Sequence, residues 1–167
     1  VIFLASLTRG NPGSDRFDAQ LELTLRAAIQ VAESVPPSVQ RSYFFGSCEE
    51  YGDGHAPFTE QSPLYSTNAY GWAKIASFHA VQTIASRRAI PVSWVRPFLT
   101  YGPNQQADLL IPSLIRSCLR DETLPLSPGD QNRDFLYIDD LCRQMARVLE
   151  RDCIEKPPLF SILQLCS

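Results

Sequence analysis

Apolar residues along the chain fall into two alternating patterns, short unbroken runs and repeats at steps of three or four. As far as Pro97 that alternation predicts strand, helix, strand, helix, strand. Val1, Ile2, Phe3, Leu4 and Ala5 are continuous apolar residues, the pattern of a strand covered on both faces in a parallel sheet. Gly10-Asn11-Pro12-Gly13 then breaks the chain. From a cap at Ser14 or Asp15, the residues Phe17, Leu21, Leu25, Ala28 and Ala32 recur at helical spacing until Pro36-Pro37, which predicts a helix laid on a sheet by that stripe. Residues 42–45 read as a second buried strand, and a polar loop holding Gly52, Gly54, Pro57 and Pro63 follows. Asn68 is placed to cap a long helix through about Arg88, and 91–96 predict a third strand before Pro97.

Strands alternating with helices in this way are the mark of right-handed βαβ crossovers, so the predicted fold class is α/β with a doubly wound parallel sheet. Beyond Pro97 the pattern changes. A turn at Tyr101-Gly102-Pro103-Asn104 leads to a short helix near 112–119, a strand-like stretch over 134–138, and a helix with Leu141, Met145 and Val148 on one face. This part is expected to belong to a second, smaller lobe.

Composition narrows the classes of function. The chain has 167 residues, 44% of them hydrophobic, with 15 Lys+Arg against 18 Asp+Glu and a net charge of −3. That is enough apolar material for a core and carries no basic footprint for nucleic acid. No stretch approaches the roughly 18 apolar residues that a membrane helix needs, so a soluble protein is expected. Five cysteines stand far apart without a C-x-x-C pair, which fits a reducing compartment and argues against structural zinc or a disulfide frame. His55 and His79 have no partner at a metal-site spacing, and no metal is expected. Eight glycines build neither G-x-G-x-x-G nor a P-loop, so a self-sufficient phosphate-binding loop is absent from these residues.

The chemistry sits in Tyr70-Gly71-Trp72-Ala73-Lys74. Tyrosine and lysine four apart on a helix project from one face, and a fixed ammonium there lowers the phenol's pKa toward a working acid/base. An isolated pair of this kind is also met as a buried helix tyrosine beside a solvated lysine. Its setting adds weight, because Gly46-Ser47-Cys48-Glu49-Glu50-Tyr51-Gly52 follows a buried strand, where open α/β sheets carry ligand-binding loops. The Ser47 hydroxyl can donate to the oxygen whose proton Tyr70 handles, or can simply satisfy backbone groups at the strand end. A serine hydrolase is disfavoured, since G-S-C-E lacks the G-x-S-x-G elbow.

These segments resemble, in order, the extended short-chain dehydrogenase/reductases of the NAD-dependent epimerase/dehydratase family, which act on nucleoside-diphosphate sugars. Val1 to Ser6 is similar to the fourth strand of the cofactor domain and Gly46 to Gly52 to the S-x-x-x-Y-G segment. P-L-Y-S-T-N-A-Y-G-W-A-K resembles the catalytic-helix segment, R-P-F-L-T-Y-G-P the segment after strand six, and G-D-Q-N-R-D-F-L-Y-I-D-D the substrate-lobe segment G-x-Q-x-R-D-F-x-Y-V-x-D. The resemblance implies a Rossmann-type NAD(P)-binding half over 1–98, with a partial substrate lobe over 99–167 in which 157–163 start a further strand.

It also implies roles. Tyr70 is the acid/base, Lys74 lowers its pKa and holds the nicotinamide ribose, and Ser47 is the hydroxyl partner. Leu4, Ala5 and Pro97 border the cofactor, NAD in preference to NADP, and Arg133 meets the substrate diphosphate, though it also reads as a surface ion pair. Glu49 stands two positions after Ser47, where family dehydratases and some reductases carry a carboxylate. Cys48 takes the place of an acidic residue found in some sugar dehydratases, and Leu99 that of a common asparagine. Epimerase, dehydratase, 4-ketoreductase and an inactive binding remnant all fit. The family's glycine-rich fingerprint would lie upstream of Val1, which makes an internal fragment the expectation and leaves Val1 to Ala5 at an uncovered sheet edge. A cytoplasmic homodimer joined through helices near 15–33 and 69–88 is the implied assembly.

Overall fold

The structure, a computed structural model, describes residues 1–8, 15–54, 56–155 and 157–167. The Gly10-Asn11-Pro12-Gly13 turn, Ser14 and His55 lie outside them. Strands β1 (Ile2–Phe3), β2 (Ser42–Phe45), β3 (Val92–Pro97) and β6 (Phe160–Leu165) form one parallel sheet in the order β1-β2-β3-β6. Strands β4 (Leu99–Tyr101) and β5 (Phe135–Tyr137) pair separately, also in parallel.

Side chains of β2 and β3 alternate between two cores, as a strand's period of two demands. Phe44, Val92 and Trp94 join Ala28, Ala32, Phe78 and Val81 of helices α2 (Ala27–Ser34) and α3 (Ala69–Arg88) on one face. Tyr43, Val95 and Leu165 meet Met145 of α5 (Ile138–Ile154) on the other. The remaining helix, α4 (Leu110–Arg120), lies between β4 and β5 in the chain.

Three expectations change. Residues 157–163 do not start another strand of the second lobe, because β6 runs beside β3 in the main sheet, from Val92 opposite Phe160 to Pro97 opposite Leu165. With α5 packed on the same sheet, the segment outside it runs between β3 and α5. A buried guanidinium fastens this return: Arg41 donates to the carbonyls of Pro157 and Pro158 at 3.0 and 2.8 Å and to the Ser93 hydroxyl at 3.1 Å.

The apolar run at the start is not covered on both faces. It forms an edge strand of two residues, with Ile2 49% and Leu4 62% exposed, in keeping with the uncovered edge that the family resemblance implies.

The third change concerns the helix over 17–34, made of α1 (Phe17–Gln20), a π-helical turn (Leu21–Arg26) and α2. Phe17 and Leu21 are exposed, whereas Gln20 and Thr24 are buried in line with Ala28 and Ala32. The inner face here meets the backbone after β1, and buried backbone groups need polar partners. Thr24 accepts from the Leu7 N–H and Gln20 donates to the Leu7 carbonyl, both at 3.0 Å. These two bonds fix the segment carrying Ser6.

Candidate active site

Parallel strands bring the segments after β1, β2 and β3 to one end of the sheet, and the N-terminus of α3 joins them there. Asn68 caps α3, accepting from the Gly71 N–H at 2.8 Å. Its amide also donates to the Glu49 carboxylate at 2.9 Å, so one side chain ties Glu49 to the helix of Tyr70. Gly71 allows that approach, since a Cβ there would lie 2.6 Å from the Glu49 carbonyl oxygen.

Ser47 caps a 3-10 turn (Cys48–Tyr51) in a capping box: its hydroxyl accepts from the Glu49 N–H, and the Ser47 N–H donates to Glu50 at 2.9 Å. Glu50 is wholly buried and takes hydrogen bonds from Trp94 at 3.1 Å and from Arg96 at 2.7 Å. The Arg96 guanidinium, 1% exposed, lies between the rings of Tyr51 and Phe78, 5.1 and 5.0 Å from their centroids. Glycine is required at 46, where a Cβ would fall 2.1 Å from a Glu50 oxygen. A charged residue within the apolar strand V-S-W-V-R-P signals a buried partner, but which one is invisible before folding.

A cleft of about 550 Å³ opens over this framework, lined by Ser47, Cys48, Glu49, Tyr70, Pro97 and Arg133 among others. The site residues expected from sequence are thus brought together, apart from Leu4, Ala5 and Lys74, which do not line it. Ala5 and Lys74 border a neighbouring crevice under Trp94. Ser6, absent from those expectations, joins Ser47 as a hydrogen-bond partner of the Tyr70 phenol.

Protonation follows burial. The Tyr70 phenol is pushed up to about 12 by burial, against the pull of the Ser47 and Ser6 hydrogen bonds. Lys74, 4% exposed, is pushed down to about 8 by the same cause. Its ammonium donates to the Phe45 carbonyl at 2.6 Å and lies 5.7 Å from the Tyr70 ring centroid. Burial is the largest cause at both groups, and on the phenol it acts against the direction that the family resemblance implies for Lys74.

A buried ammonium with a depressed pKa costs stability below that pKa. The unfolded chain binds more protons than the folded one between about 8 and the ordinary lysine value of 10.5, so Lys74's contribution improves as pH rises through that window. Lys74→Met is expected to stabilise the fold at pH 7 by about 1 kcal/mol, net of the lost hydrogen bond. In thermal melts the advantage should shrink from pH 8 upward; a gap constant with pH would refute this account.

The profile of the NAD dependent epimerase/dehydratase family matches residues 2–162. The chain belongs to this family. Among its relatives, a dTDP-glucose 4,6-dehydratase of Haemophilus influenzae is 35% identical over 104 residues, covering 60% of this chain and 31% of that protein. An uncharacterized UDP-glucose epimerase of Bacillus subtilis, YtcB, is 29% identical over 113 residues, covering 67% of this chain and 36% of its own length.

A solved structure, MoeE5 in complex with UDP-glucuronic acid and NAD, superposes with a TM-score of 0.83 at 26% identity, covering 99% of this chain and 56% of that one. UDP-glucuronic acid 4-epimerase from Bacillus cereus, 22% identical with a TM-score of 0.85 over 99% of this chain and 53% of its own, shares the fold. The chain thus spans from 31% to 56% of the length of these relatives. Among its described residues no helix is long and apolar enough to cross a membrane, and no group of three His, Cys, Asp or Glu could hold a metal.

Proposed function

We propose that this chain carries the proton-transfer half of a nucleoside-diphosphate-sugar epimerase/dehydratase that works with NAD. The observation that supports the reading most is the convergence of Tyr70, Ser47 and Glu49 on one cleft with Arg133 at its wall.

The Ser47 hydroxyl donates to the sugar oxygen at the reacting carbon and orients it toward Tyr70. Tyr70, a neutral phenol at physiological pH, is in the form that protonates a ketone oxygen; to work in the oxidising direction it must pass its proton to a neighbour. Glu49, held by Asn68, is positioned for a second proton, the one moved during loss of water. Arg133 presents a guanidinium fork to the diphosphate.

The residues fit a nicotinamide. Lys74 directs a buried ammonium to one backbone carbonyl and keeps donors for a ribose hydroxyl, while Leu4, Ala5 and Pro97 would border the ring. When bound, the nicotinamide supplies hydride exchange with a ring carbon and, in its oxidised form, a positive charge.

Calorimetric titration with NAD and with UDP-glucose, followed by assay for turnover, tests the reading. Binding and turnover of a nucleotide sugar support it. Binding without turnover favours an inactive binding remnant, and no binding of either ligand by the chain or by a version extended upstream through its gene rejects it.

We also infer a cytoplasmic homodimer. Phe17 and Trp72, both exposed, meet edge-on at 5.4 Å across the helix of 17–34 and α3. That apolar pair suits a helix-to-helix contact with a second copy, and a monomer by light scattering would exclude it.

A further inference from the structure

Ser47 lines the cleft and its hydroxyl meets the Tyr70 phenol there, yet what fixes Ser47 lies behind it. The residue is extended, with φ −163° and ψ 153°. Its backbone N–H donates to a Glu50 oxygen at 2.9 Å. Glu50 is wholly buried and is not a lining residue of the cleft.

Among the described residues, N–H groups of the Ser47 backbone, the Trp94 indole and the Arg96 guanidinium converge on the Glu50 carboxylate. Donors on both sides call for two acceptor oxygens, which a carboxylate has and a carboxamide lacks. Arg96 is held in turn, donating to the Tyr51 hydroxyl at 3.1 Å and to the Glu60 carbonyl at 3.3 Å. Gln164 of β6 donates to the same Tyr51 hydroxyl at 2.7 Å. An unbroken run of hydrogen bonds thus joins β6 to the Ser47 backbone. A neutral acceptor would satisfy one backbone N–H with less desolvation than a buried charge. What the ion pair adds is a fixed position, because the carboxylate cannot leave Ser47 without straining its bond to Arg96.

We propose that Glu50 is a positioning residue for the reaction: through the Ser47 backbone it aims the Ser47 hydroxyl at the Tyr70 phenol. The proposal rests on the nucleotide-sugar reading and deepens it, adding to the proton-transfer machinery a residue outside the cleft. Glu50→Gln should release Ser47. Its single side-chain oxygen goes to Arg96, the charged and therefore stronger donor, and its N–H₂ is left facing the Ser47 N–H. Glu50→Asp keeps the charge beside Arg96 and shortens its reach by one methylene.

The test is a double-mutant cycle on turnover of UDP-glucose or dTDP-glucose with NAD, by the chain or by a version extended upstream through its gene. Glu50→Gln and Glu50→Asp are each placed in the native background and in Ser47→Ala, and assayed below their melting midpoints. With Ser47 present, each should lower kcat about tenfold or more and change KM by less than about threefold. With Ser47→Ala, the further loss should be under about threefold, the non-additivity expected when one residue acts through another. If Glu50→Gln does not fold, Glu50→Asp, which retains the ion pair, decides alone. A native rate, an equal loss in both backgrounds, or a loss carried by KM overturns the proposal and leaves the nucleotide-sugar reading intact. No turnover by the native protein in either form overturns that reading and the proposal with it.

Discussion

Arg96→Met should lower the stability of the fold by about 3–5 kcal/mol, the usual cost of removing one partner of a buried ion pair. The guanidinium bonds Glu50 at 2.7 Å and the Tyr51 hydroxyl at 3.1 Å, with both charged side chains almost inaccessible. Methionine fills some of the volume between the Tyr51 and Phe78 rings but leaves Glu50 with only neutral donors, from Trp94 and the Ser47 backbone. For a domain of this size the melting temperature should fall by about 10 °C.

The loss has a predictable pH dependence. Burial already holds the Glu50 pKa above the ordinary carboxylate value, opposed by Arg96. Without the arginine the folded-state value rises further. A group whose folded pKa is raised contributes stability that is present below the unfolded value and is lost as pH rises through the folded one. The deficit of Arg96→Met against the native chain should therefore be smaller at pH 5 than at pH 8, and adding Glu50→Gln should recover part of it at pH 8. Chemical denaturation at the two pH values decides the matter, and a deficit equal at both would reject Glu50 as its source.

Tyr70→Phe should reduce turnover of a nucleotide sugar by about 10²- to 10⁴-fold, the range for loss of a positioned acid/base. The ring, buried beside Ser47, keeps its packing, and only the hydroxyl that meets Ser47 and Ser6 disappears. UDP-glucose affinity should change by less than about threefold, because the group acts on the reacting oxygen and not on the diphosphate. Single-turnover rates and calorimetry together separate the two effects. Turnover within a factor of a few of the native rate would move the proton chemistry to another residue, with Glu49 the next to test.

The fold was legible in outline because its elements are coded locally. Asn68 stops one chain direction and starts α3, Pro36-Pro37 and Pro97 end elements by geometry, and the helical period places Tyr70 and Lys74 on one face wherever that helix is put. The stripe of Phe17 and Leu21 misled because periodicity reports which residues share a face and not what the face meets. Here it meets the Leu7 backbone, which only Gln20 and Thr24 can satisfy.

What the sequence by itself determined is the α/β grammar, the segments that bear the chemistry and the family to which they point. Tertiary structure alone decided three further things. Sheet register put β6 against β3, 68 residues apart at Ser93 and Ser161, because strand pairing depends on contacts that no local window contains. It also paired Glu50 with Arg96 across the core. Finally, burial set the direction in which Tyr70 and Lys74 are shifted, by removing water from phenol and ammonium alike, and desolvation is a property of the packed site that residue spacing does not encode.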